Sequence, residues 1–150
     1  MEVGMESSMQ ILLEKARLIF GNYERGSMLN NCDPQCCPNG ELNSALVLPL
    51  SDIQDDDLWA YYHYGPNGIG ELADYKFFLP TFAERISNDS KYWDPWWLAS
   101  AAVDRSHPTD WTNDEIHWLI EFFEKLAEQQ HCKKLCNKTI ERLRMALNSK

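Results

Sequence analysis

The chain has 150 residues, 44% hydrophobic and 25% charged, which is long enough to bury one core and too apolar for wholesale disorder. No apolar run reaches the roughly 20 residues that span a bilayer, and the first residues, Met1 to Glu6, lack the basic segment of a secretory signal. A soluble cytoplasmic protein with no membrane partner is therefore expected, and its net charge of −9 argues against nucleic acid and for a basic protein partner.

Along the chain, Met5, Met9, Leu12, Ala16, Ile19 and Tyr23 recur in alternating steps of four and three, one face of a helix. Ser7 or Ser8 can cap it and Gly21 can weaken its end, which places the first helix at about 7–21. From Asn22 to Leu48 the composition turns to Gly, Asn, Pro and Cys, and no apolar period survives. This is a long loop, and loops of that length in a small domain are usually functional or tethered. It carries Cys32, Cys36 and Cys37, three of five cysteines. With an odd count and a chain that needs no staples, they read as reduced thiols or metal ligands before disulfides.

Ser51 and Gln54 form a capping-box pattern, and Asp52, Asp55, Asp56 and Asp57 fill the first turns of a helix at about 52–63, where the helix dipole favours acids. Gly65 to Gly68 makes a turn. Leu72, Tyr75, Leu79, Phe82 and Ile86 then form an inward stripe over 70–87. Pro80 removes a helical hydrogen bond, so a kink or break is expected within 77–80.

The run from Leu48 to Ile86 combines a Pro-Leu leading into a polar helix start, a helical Leu-x-x-Tyr at Leu58 to Tyr61, the acidic turn Asp74-Tyr75-Lys76, and Phe78-Leu79-Pro80. With the cysteine cluster before it, this pattern resembles a family of small uncharacterised bacterial cytosolic proteins. The resemblance implies a helical fold and a cysteine pair in the same loop.

Asp94 followed by Pro95 starts a helix at about 95–104, with Trp96, Ala99 and Val103 on one face. Trp93, Trp96 and Trp97 cluster there, as an interface or as an aromatic corner of the core. Thr112 and Glu115 make a second capping box ahead of the clearest amphipathic helix, about 113–131. After a hinge from Cys132 to Asn137, Ile140, Leu143 and Leu147 define a last, basic helix. The expected fold is all-α, a single compact domain over 1–150, with five or six helices and the long cysteine loop after the first.

Structural zinc prefers Cys-x-x-Cys knuckles, whereas the loop offers Cys-x-x-x-Cys-Cys, with His131, Cys132 and Cys136 as a second half. Cys32, Cys36 and Cys37 are the candidate metal ligands, and zinc is the one cofactor their chemistry suggests. His63, His107, His117 and His131 belong to no motif with a Ser or Cys, and Asp114-x-x-His117 is one partial copy of a di-metal motif. Gly-rich phosphate loops and hydrolase signatures are missing from the sequence, so an enzyme is not expected.

Charge is uneven. Residues 51–94 hold nine acids against Lys76, Arg85 and Lys91, whereas 133–150 hold six bases against Glu141. Asp55, Asp56, Asp57, Trp59, Glu71, Asp74, Trp93 and Asp94 combine acids with aromatic anchors, the means by which a protein engages a basic partner. The expectation is a non-enzymatic acidic binding module, of the kind that immunity proteins represent when they neutralise a basic toxin nuclease in the bacterial cytosol. The alternative is a zinc-dependent structural or regulatory module built on the cysteine loop.

Overall fold

A computed structural model describes residues 3–23, 55–64 and 72–149. Within them lie six α-helices: α1 (Val3–Ile19), α2 (Asp55–Tyr64), α3 (Leu72–Asn88), α4 (Trp96–Val103), α5 (Asn113–Leu126) and α6 (Lys133–Asn148). Short 3-10 turns, Pro108–Asp110 and Gln130–Cys132, precede α5 and α6. The fold is all-α, as the periodicities imply. The cysteine loop, the capping pattern at Ser51 and the turn at 65–68 lie outside the described residues.

Helices α5 and α6 pack against each other most extensively; α1 lies against α5 and α3, α4 against α6, and α2 against α4. The Tyr62 ring of α2 meets Phe82 of α3 with centroids 5.0 Å apart, closing the circuit around one core. Trp111, Trp118, Tyr62, Tyr75, Phe20, Phe78 and Phe82 are its largest fully buried side chains. Phe20 meets Trp118 edge-on at 5.7 Å, and Trp118 stacks on Phe122 at 4.9 Å. Such aromatic pairs add about 0.5–1.5 kcal/mol each beyond their buried area.

Helix α3 does not break at Pro80 but runs unbroken from Leu72 to Asn88. The proline forfeits the bond to the Lys76 carbonyl, a cost of roughly 3 kcal/mol. Tyr75, Phe78, Leu79, Phe82, Ala83 and Ile86 are all fully buried on either side of it. At roughly 1.5–3 kcal/mol for each large apolar side chain, that burial outweighs one lost hydrogen bond.

Helix α5 ends at Leu126 rather than near 131, because residues 127–131 supply no apolar side chain for its inward face beyond Ala127. The expected hinge at 132–137 is instead the start of α6. Cys132 and Cys136, buried and four residues apart, extend the stripe of Ile140 and Leu143 toward the N-terminus. Here cysteine acts as a small hydrophobe.

Candidate functional site

Two places bring charge and aromatic rings together, one buried and one open to solvent. The buried one begins with the capping box of α5, in which the Thr112 hydroxyl accepts the amide of Glu115 at 3.1 Å and Glu115 Oε1 accepts the amide of Thr112 at 2.9 Å. The same Oε1 accepts from Lys76 Nζ at 2.8 Å, while Oε2 accepts from the Tyr23 hydroxyl at 2.6 Å. Lys76 donates further to the Asp110 carbonyl at 2.8 Å and to the Tyr23 oxygen at 3.1 Å, which uses all three of its protons. Its ammonium lies 4.7 Å from the Trp111 ring centroid and 5.1 Å from that of Tyr23. Burial, reinforced by Glu115, raises the Tyr23 phenol well above its ordinary value, so it stays protonated as a donor. With every donor and acceptor occupied, this knot joins the end of α1 to α3 and α5 and offers nothing to a ligand.

The open place is a corner where α2, the turn at 89–95 and the start of α4 meet. Asp89 fixes the turn by accepting the Tyr92 amide at 3.2 Å, and the Asp94 carboxylate accepts the Trp96 amide at 2.9 Å, although the N-cap position of α4 falls on Pro95 rather than on Asp94 as expected. From below, the buried Tyr62 hydroxyl donates to the Asp94 carbonyl at 2.6 Å and accepts the Leu98 amide at 3.2 Å. Between the two acids the chain points Trp93 inward, against Tyr62 at 5.6 Å, and leaves Tyr92 outside, 52% exposed; Trp96, just after Asp94, is 47% exposed.

A file of rings crosses the surface. Tyr92 lies 6.1 Å from Trp59, Trp59 4.8 Å from His63, His63 3.8 Å from Trp97, and Trp97 4.7 Å from Trp96. The Trp59 indole donates to the Tyr92 carbonyl at 3.4 Å. Arg105 holds the far side, donating to the carbonyls of His63 at 3.0 Å and Trp97 at 2.6 Å with its guanidinium 5.5 Å from the Trp97 ring. Burial first, and the Arg105 charge second, lower the His63 pKa below its usual value, so its ring is neutral near pH 7.

Of the expected docking residues, Trp59 and Asp94 belong to this corner. Asp55 is exposed but paired with Arg85 at 3.0 Å. Asp74 and Trp93 are buried, which takes them off any docking surface: Asp74 lies one turn before the buried Phe78 on α3, and Trp93 plugs the corner from within. The side chains of Asp56 and Asp57, and all of Glu71, Cys32, Cys36 and Cys37, lie outside the described residues. Tyr92, Asp89 and Arg105 carry no sequence signal of a site, whereas Trp96 stands out only as part of the tryptophan cluster at 93–97.

His131, Cys132 and Cys136 do not converge as half of a metal site; among the described residues no group of three or more His, Cys, Asp or Glu does so. Burial raises the Cys132 thiol and pushes that of Cys136 up to about 12, leaving both as unreactive thiols. The fold does bring His131 to a serine that no motif links to it, with Nε2 2.9 Å from Ser90 Oγ. The Ser90 proton goes to Gln129 Oε1 at 2.6 Å. The imidazole nitrogen facing Ser90 must then carry a hydrogen, and in this arrangement it cannot act as the base of a nucleophilic pair.

No family model, curated protein or solved structure matches the chain. None of the described helices is long and apolar enough to cross a membrane.

Proposed function

We propose that the protein is a non-enzymatic, acidic binding module that captures a basic protein in the bacterial cytosol, in the manner of an immunity protein holding a toxin nuclease. The observation that carries this reading is the pair of exposed rings, Tyr92 and Trp96, set on a rigid turn beside the exposed carboxylates Asp89 and Asp94. Rigid aromatic anchors contribute most of the affinity at protein interfaces, while nearby charges steer the encounter and reject partners of like charge. A chain of net charge −9 selects for positive partners.

The test is to recover the protein with its bound partner from its own cells and to compare variants by surface plasmon resonance. Trp96→Ala is expected to weaken the complex by about tenfold or more, chiefly through faster dissociation. Asp94→Lys should slow association and flatten its salt dependence. Charge reversal at Glu124 on α5 and at Glu128, two residues past its end, should do less. An acidic partner, or unchanged binding by the Trp96 and Asp94 variants, overturns the reading.

A further inference from the structure

A second face lies away from the corner, along the seam of α1 and α5. Helix α1 presents Ile11, Lys15 and Leu18 in one stripe, with Ile11 53% and Leu18 80% exposed, although the opposite side of the helix is buried. Helix α5 presents Asp114, His117 and Glu121 in the matching stripe, all exposed. Two cavities, of about 340 and 530 Å³, lie on this seam and share Leu18, Ile19 and Asp114, so they run on into one groove. Trp118 lies at its base, with its indole N–H already donated to the Leu12 carbonyl at 2.8 Å, and so offers only an apolar ring.

The walls differ in chemistry. On the α1 side Leu18 and Ile19 line both cavities and Lys15 one of them, while Ile11 continues the exposed stripe beyond them. The α5 wall is acidic: Asp114 makes no hydrogen bond or ion pair among the described residues, and Glu121 has one long contact of 3.8 Å with Lys15, both half exposed. Each stripe covers eight residues, a rise of about 10 Å or two helical turns.

We propose that this groove binds a basic amphipathic helix of a partner protein. The ligand must be helical because both walls are helix surfaces whose backbone groups are used in their own ladders. An extended peptide would find no backbone partners there, whereas a helix satisfies its own. It must be amphipathic, since Leu18 and Ile19 call for apolar contacts spaced at i, i+3/i+4 and i+7, and basic along the edge that meets Asp114 and Glu121. The inference does not rest on the corner, and the two fail independently.

The probe is a fluorescein-labelled helix of leucine and lysine, about 18 residues, long enough to be helical alone, titrated with the full chain and followed by anisotropy. A scrambled peptide of the same composition and a leucine–glutamate counterpart serve as comparisons. The leucine–lysine helix is expected to bind, the scrambled one about tenfold more weakly, and the acidic one not at all. Leu18→Glu and Asp114→Lys should each weaken binding about tenfold, with unchanged circular dichroism because both side chains are exposed, while Trp96→Ala leaves it intact. Equal binding of the scrambled peptide would reduce the groove to bulk charge and overturn the proposal. So would wild-type affinity in the Leu18 and Asp114 variants, or no binding to the leucine–lysine helix.

Discussion

The knot under Trp111 and the corner around Trp96 are built from the same parts: tryptophan and tyrosine rings, carboxylates and one cation. In the knot, Lys76 spends its protons on Glu115, Tyr23 and the Asp110 carbonyl, and Glu115 divides its oxygens among Thr112, Lys76 and Tyr23. In the corner, Arg105 turns inward to two backbone carbonyls, Asp89 and Asp94 lock a turn, and the rings of Tyr92 and Trp96 are left about half exposed. Composition therefore does not distinguish structure from function in this chain. What separates the two places is whether the polar groups are saturated and whether the rings are covered. The knot is expected to respond to mutation in stability alone, and the corner in binding alone.

The largest effect should follow from Lys76→Met, which leaves the Glu115 carboxylate buried without its cation and should cost about 3–5 kcal/mol in urea unfolding. Adding Glu115→Gln keeps an acceptor for Thr112 while removing the stranded charge, and should restore at least half of the loss. If the double variant were no better than the single one, the knot would be holding shape through packing rather than charge pairing. A smaller effect is expected at Trp96→Ala, where an exposed ring is lost: the free energy of unfolding should change by no more than about 0.5 kcal/mol, so a loss of several times that would place Trp96 in the structural half of the comparison.

The smallest effect concerns pH. His63 binds its proton less readily in the folded chain than in the unfolded one, so the stability it permits is complete above the unfolded value, about 6.5, and declines as pH falls below it. Stability measured across that range should fall on acidification, and His63→Gln should flatten that part of the curve. A slope unchanged by the substitution would show that His63 is not its source.

Local chemistry made much of this fold legible before the structure. The apolar stripes of α3 and α5 and the capping box at Thr112 and Glu115 need only neighbours in sequence, and they appear where the spacing puts them. What was illegible depends on distance along the chain. Lys76 looks like one cation in an acidic stretch until α5 brings Glu115 across 39 residues to meet it. Asp74 reads as a surface acid because helix α3 is amphipathic on its best-marked face, but burial reaches it as well, one turn before Phe78. Pro80 promised a kink or a break, and burial on both sides keeps the helix from breaking there. Among three tryptophans close in sequence, only the turn fixed by Asp89 and Asp94 decides that Trp93 goes in and Trp96 stays out.

Glu115 belongs at once to a contact across three residues, one across 39 and one across 92. Freezing a glutamate side chain typically costs about 1.5–2 kcal/mol of rotamer entropy, and here the capping box imposes that loss as soon as the first turn of α5 forms. Lys76 and Tyr23 then meet a carboxylate that is already aimed. The long-range bonds need not order it again, so nucleation of one helix lowers the entropic barrier to docking two others.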